Sequence, residues 1–168
     1  MGDLLNKEIS KKSDMGKKIV DSRKTYSYAD DEVVIELVTK QIEQLEKEKK
    51  NWVIEGFPRT RKQALCITKM DFIPDCMILL DVADKLTKQR VRENLTSDEA
   101  VVKIEEGLIE ATVENAVQEY HVHTDGVKDI YKGMTSVIDG NKRQDVVLQE
   151  IARILKLKKV NAPRRAPK

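Results

Sequence analysis

Two apolar runs that do not alternate constrain this chain more than any other feature. Met77-Ile-Leu-Leu-Asp-Val82 is apolar on both faces, and Trp52-Val53-Ile54 is a shorter run stopped by Glu55-Gly56-Phe57-Pro58. Runs of this kind suit strands covered from both sides, as in parallel sheets flanked by helices. The stop at Gly-Phe-Pro suits a tight turn. Ser136 to Asp139, just before Gly140-Asn141, reads as a third short strand.

Helical periods fill the spaces between these runs. Leu4, Leu5 and Ile9 fall at helical spacing, and Ser13 or Asp14 offers a cap for a second short helix through Ile19. Residues 23 to 30 read as a loop. From Asp30 or Asp31 an apolar stripe of Val33, Val34, Leu37, Val38, Ile42 and Leu45 predicts four helical turns that end in a solvated charge run. Arg61 to Lys69 is helical, with Gln63, Ala64 and Ile67 on one side. Asp84 is expected to cap a helix through about Asn94, and Ser97 to Lys132 to form two helices parted near Thr112 and Val113. Val146 to Leu157 closes the chain with a helix. Strand and helix alternate, so the class is α/β with a parallel sheet.

Charge and composition remove several classes. No stretch approaches the about 20 apolar residues that a bilayer requires, and the N-terminus has no apolar signal core, so a cytoplasmic protein is expected without membrane contact. Cys66 and Cys76 are isolated thiols whose spacing matches no metal-ligand pattern. His121 and His123 lie two apart on a helix and face different directions, which suits surface histidines. The formal net charge of +2 hides an asymmetry: residues 156 to 168 hold six basic groups and no acid, leaving 25 basic against 29 acidic groups before them. That tail lacks interleaved aromatics, so nucleic acid is not indicated. Anionic lipid or an acidic protein surface, such as a cytoskeletal filament, would suit it, and a flexible solubilising end accounts for it equally well.

Val53-Ile-Glu-Gly-Phe-Pro-Arg-Thr-Arg-Lys-Gln-Ala64 resembles the adenylate kinase signature, in which a strand runs into D-G-F-P-R-T-x-x-Q-A. Gly2-Asp-Leu-Leu-Asn-Lys-Glu-Ile9 with Asp14-Met-Gly-Lys-Lys18 is similar to the family's G-D-x-L-R followed by G-K, and Asp31-Glu-Val-Val-Ile35 to its D-E-L-V-I. Ile78 to Val82, Gln118-Glu-Tyr120 through Thr124 and Tyr131, and Ile138-Asp-Gly140 follow in the family's order. The resemblance implies a nucleoside monophosphate kinase fold over residues 1–157. It divides into a monophosphate-binding region over about 1–50, a reduced lid over about 95–113, and a basic tail over 158–168 expected to be disordered. It places Gly56, Arg59, Gln63 and Ala29 on the AMP side, and makes Glu55 and Arg90 the family-equivalent candidates for catalysis. No metal ligand set is assigned.

Departures from the family pattern are as informative. The family begins with a strand and a G-x-x-G-x-G-K loop that holds the ATP phosphates at a helix N-terminus. None of the seven glycines, at 2, 16, 56, 107, 126, 133 and 140, belongs to such a loop. Asn6, Asn94 and Ala116 stand where arginines are expected, and Glu99, Glu105, Glu106 and Glu110 make the lid acidic. Phosphoryl transfer rests on cations placed around the migrating charge, and losing one can cost on the order of 10³-fold.

The family's phosphate-loop strand lies between the two that carry Trp52–Ile54 and Met77–Val82. Without it a slot of about 9.6 Å, twice the spacing of neighbouring strands, is expected.

Three functions compete. The first is a degenerate kinase domain acting as a structural or interaction subunit of a larger assembly, for instance a ciliary or axonemal one, with a protein partner filling the slot. The second is an active enzyme, ATP + AMP ⇌ 2 ADP with magnesium, completed by a phosphate loop from another chain or a missing exon. The third is an AMP sensor.

Overall fold

A computed structural model describes residues 1–24, 27–97 and 104–161. Seven helices and two strands follow in the order α1 (Gly2–Ser10), α2 (Asp14–Lys24), α3 (Asp31–Lys47), α4 (Arg61–Lys69), β1 (Met77–Asp81), α5 (Asp84–Thr96), α6 (Ile109–Ile130), β2 (Thr135–Asp139) and α7 (Gln144–Asn161). A single 3-10 turn, Glu106–Leu108, leads into α6. The architecture is mixed α/β, rich in helix, around a small parallel sheet. β1 pairs with β2 in register from Met77↔Thr135 to Asp81↔Asp139.

Local chemistry accounts for most boundaries. α3 starts where the Asp30 carboxylate accepts the Glu32 amide at 2.9 Å, and its stripe Val33, Val34, Ile35, Val38 and Ile42 is buried. α4 starts where the Thr60 hydroxyl accepts from the Gln63 amide at 3.2 Å. α1 and α2 close on each other at Gly16, where a Cβ would stand 2.7 Å from the Glu8 carbonyl oxygen. Beneath that contact the buried Glu8 carboxylate accepts from Lys11 and Ser13, each at 2.7 Å. Both bonds hold its carboxyl below the usual carboxylate range, Lys11 contributing more.

Two apolar clusters form the interior. Val34, Ile35, Val38 and Ile42 of α3 pack with Phe57 and Ile67, and Trp52, Ile54, Leu4 and Leu5 lie against them. Ala64, Val127 and Tyr131 form the other, joined by Met77 and Met134. α4 contributes to both, Ile67 to one and Ala64 to the other, so it couples the N-terminal helices to the sheet.

Six expectations are corrected. Trp52–Ile54 belongs to no strand: it is an unpaired segment with Trp52 and Ile54 half-buried and Val53 96% exposed. β1 is not flanked on both sides, because it pairs with β2 alone among the described residues, and Leu80 is 44% exposed. α6 runs unbroken through Thr112 and Val113, both buried; burial of β-branched residues outweighs their modest helix penalty. Asp84 does not cap α5. The N-cap is Ala83, whose amide donates to Asn141 Oδ1 at 2.9 Å, while Asp84 pairs with His121 at 2.9 Å. α2 continues through Lys24, into the expected loop, and α7 continues to Asn161, into the expected tail. Residues 162–168 and 98–103, including Glu99 of the lid, lie outside the described residues.

Candidate functional site

Val53 to Arg59 carries the chain from the unpaired segment into α4, and the turn is built around Gly56. Its φ of +70° lies in the left-handed region, and a Cβ there would stand 3.0 Å from Arg59 Nη2. Glycine is therefore required for both conformation and space. The Phe57–Pro58 peptide is cis. Beyond it the Arg59 guanidinium folds back: Nε donates to the Gly56 carbonyl at 3.0 Å, and the group lies 5.3 Å from the centroid of the Tyr28 ring. Burial raises the Tyr28 hydroxyl above its ordinary range, partly opposed by the Arg59 charge. His123 closes the other flank, its ring 5.5 Å from that of Tyr28.

Gln63 has a different position from the one its motif suggests. It is 2% exposed. Its Oε1 accepts from the Arg59 amide at 2.7 Å and its Nε2 donates to Asp31 Oδ1 at 2.8 Å. Asp31 also accepts from the Thr60 hydroxyl at 2.9 Å. Gln63 thus braces the turn against the start of α3, and both ends of its amide are engaged within the protein.

The turn opens on a cavity of about 3260 Å³. Ala29, Glu55, Gly56, Arg59 and Arg90 all line it, and Gln63 does not. The three positions where the family pattern calls for arginine, Asn6, Asn94 and Ala116, line it too. These positions thus share one cavity wall, and three of them present uncharged side chains. Sequence reasoning missed Arg23. Its Nη1 donates to Asn6 Oδ1 at 2.7 Å, which brings a guanidinium to the position vacated at residue 6. No motif signalled it, because the contact joins α1 to the last turn of α2.

One of the acidic residues of the expected lid is paired. Glu110 accepts from Arg92 Nε and Nη2 at 2.7 and 2.6 Å, a forked pair that holds its carboxyl below the usual range. His121 and His123 stand apart, one on Asp84 and the other 3.5 Å from Glu119. Among the described residues no group of three or more His, Cys, Asp or Glu could hold a metal, and no helix is long and apolar enough to cross a membrane. Magnesium is held through one or two carboxylates and the substrate phosphates. Glu55 is the carboxylate on offer beside the turn, and no phosphate-holding loop stands among the described residues for it to face.

Known proteins resemble this sequence. The chain is 36% identical over 90 residues to a probable adenylate kinase 2, chloroplastic, of Oryza sativa subsp. japonica, across 54% of this chain and 31% of that protein. It is 34% identical over 90 residues to the chloroplastic adenylate kinase of Zea mays, across 54% and 40%. The match therefore spans under half the length of these plant relatives. The adenylate kinase of Wolbachia pipientis wMel is 27% identical over 177 aligned positions, across 90% of this chain and 82% of its own. The family model for adenylate kinase matches residues 1–136. Because that stretch holds the Gly56 turn, α3, α4, β1 and the cavity-lining helices α5 and α6, the chain belongs to the adenylate kinase family.

Proposed function

We propose that these 168 residues form an adenylate kinase-like module that does not transfer phosphate unaided and acts as an interaction subunit of a larger assembly. The observation that supports this most is the cavity wall: Asn6, Asn94 and Ala116 converge where cations would be needed, and no phosphate-loop glycine motif accompanies them. Phosphoryl transfer is almost wholly a matter of positioned charge, so a wall with three neutral side chains in those places supplies little of it.

A second reading draws on Arg23, Arg59 and Arg90, which line the same cavity. They suit binding of a nucleoside monophosphate without chemistry, with Ala29 and Gly56 as the backbone wall. Completion of the site by a phosphate loop from another polypeptide segment is the route to full activity, ATP + AMP ⇌ 2 ADP. A ciliary or cytoskeletal setting, with the basic tail on an acidic protein surface, belongs to the interaction reading and rests on the resemblance alone.

Titration calorimetry with AMP and with ATP, beside a coupled turnover assay, separates these readings. The interaction module gives no turnover and no heat with either nucleotide. AMP binding that Arg59→Ala weakens at least tenfold supports the monophosphate reading. Turnover by the purified chain at ordinary adenylate kinase rates overturns the first proposal.

A further inference from the structure

Where α1 meets α2 the chain presents a serine that takes no part in the cavity wall. Ser13 follows Lys11 and Lys12 and precedes Asp14, the first residue of α2. Among the described residues it is the one serine or threonine that follows two consecutive basic residues. Lys11, Lys12 and Asp14 are exposed, and Lys12 turns the chain in the left-handed region at φ 55°. Ser13 itself is half-buried. Its Oγ donates to Glu8 Oε1 at 2.7 Å and accepts from the Gly16 amide at 3.0 Å, so it caps α2 and ties it to α1. Lys11 holds the other Glu8 oxygen at 2.7 Å. α1 has 9 residues and α2 has 11. Helices this short are marginal without tertiary support, so the turn between them is an element that opens locally, as an extended kinase substrate must.

We propose that Ser13 is a phosphorylation site for a protein kinase with an acidic substrate groove, and that its phosphate separates α1 from α2. Two lysines immediately before the hydroxyl supply the recognition element, since kinases select substrates by charge pattern. In the step, the Ser13 hydroxyl oxygen bonds to the γ-phosphorus of ATP as the bond from that phosphorus to the β,γ-bridging oxygen breaks. ADP leaves, and the hydroxyl proton passes to the kinase's own base. The product carries a charge of about −1.5 to −2 near neutral pH, and its serine oxygen no longer donates. It stands beside the Glu8 carboxylate, which is 7% exposed and has lost the bond from the hydroxyl. Lys11 is then shared between two anions. A phosphate at the N-terminus of α2 favours that helix, but this gain is made in solvent and screened by salt, whereas Glu8 loses its partner inside the protein. The loss prevails, and α1 lets go of α2. The bond from Arg23 to Asn6, 2.7 Å long across the same joint, opens with it. This inference goes beyond the reading above and holds whether or not the module transfers phosphate itself.

The test uses the folded 168-residue chain, magnesium ATP and the catalytic subunit of a lysine- and arginine-directed protein kinase, with an acid-directed kinase as control. Intact and fragment mass spectrometry is expected to show a phosphate on Ser13 from the first kinase and none there from the second. Lys12→Ala should slow its incorporation at least tenfold. Thr25→Ala removes the other hydroxyl that follows two basic residues, Arg23 and Lys24, and should leave incorporation at Ser13 unchanged. Amide hydrogen exchange over residues 5–9 of α1 should speed at least tenfold in the phosphorylated chain, while that at Ile42 in α3 changes little. In Glu8→Gln the same phosphate should speed α1 exchange only weakly, because no carboxylate faces it. Phosphate on Thr25 alone overturns the site, as does none on the native chain while the same kinase modifies a peptide of residues 8–18. Equal rates in Lys12→Ala overturn the recognition element. Unchanged or slower α1 exchange with phosphate on Ser13 overturns the separation. Site assignment and exchange are both read on the unmutated chain, so neither depends on a variant folding.

Discussion

Glu8 shows how one side chain fixes a local fold. Its carboxylate is buried where α1 meets α2 and takes bonds from Lys11 and Ser13. Because those bonds lower its folded-state pKa, they stabilise the protein above the ordinary carboxylate pKa and are lost as pH falls through the lowered value. Thermal melts between neutral and strongly acid pH should show Tm falling below about pH 4.5, the ordinary glutamate range. Glu8→Gln should be less stable at neutral pH and less sensitive over that acid window. Gly56 makes the second prediction at this scale. Gly56→Ala places a Cβ at φ +70° and 3.0 Å from Arg59 Nη2, so it should lower stability by about 1–2 kcal/mol in urea titration. It should also move the guanidinium off the Tyr28 ring, seen as a changed Arg59 Nε–H resonance.

At the scale of elements, α4 is the coupling member. Thr60 caps it and also donates to Asp31, so Thr60→Ala removes the cap and one bond to α3. The expected loss is about 1–2 kcal/mol by chemical denaturation, and Thr60→Ser should recover most of it. The sequence revealed α3 and α4 nearly to the residue, because an apolar stripe with a capping side chain is written in consecutive residues. Trp52–Ile54 is different. Its apolar run was legible, yet a strand exists only where a neighbour pairs with it, and no described residue does. The start of α5 misled for a related reason: Asn141, 58 residues away, holds the Ala83 amide and leaves Asp84 for His121. Gln63 and Arg23 follow the same rule, their partners Asp31 and Asn6 lying 32 and 17 residues off. The Gly56 turn and Arg59 were visible from the motif, whereas the brace that positions them was not.

Over the whole molecule, protection is unevenly distributed. α3 is anchored by Val38 and Ile42, each 1% exposed, whereas the sheet has two strands with Val137 62% exposed. Two-stranded sheets are marginal alone, so native-state hydrogen exchange should place the β1 and β2 amides well below those of α3 in opening free energy. Equal protection of Leu79 and Ile42 would contradict this. Ile42→Ala should cost about 2–5 kcal/mol and lower α3 protection, with the sheet already open at lower cost.

Val53 carries a consequence at higher concentration. Val53 is 96% exposed between half-buried Trp52 and Ile54, and among the described residues β1 pairs with β2 alone, so segment and strand edge are both templates for uncontrolled pairing. These 168 residues on their own should therefore self-associate as concentration rises, which light scattering over a dilution series checks.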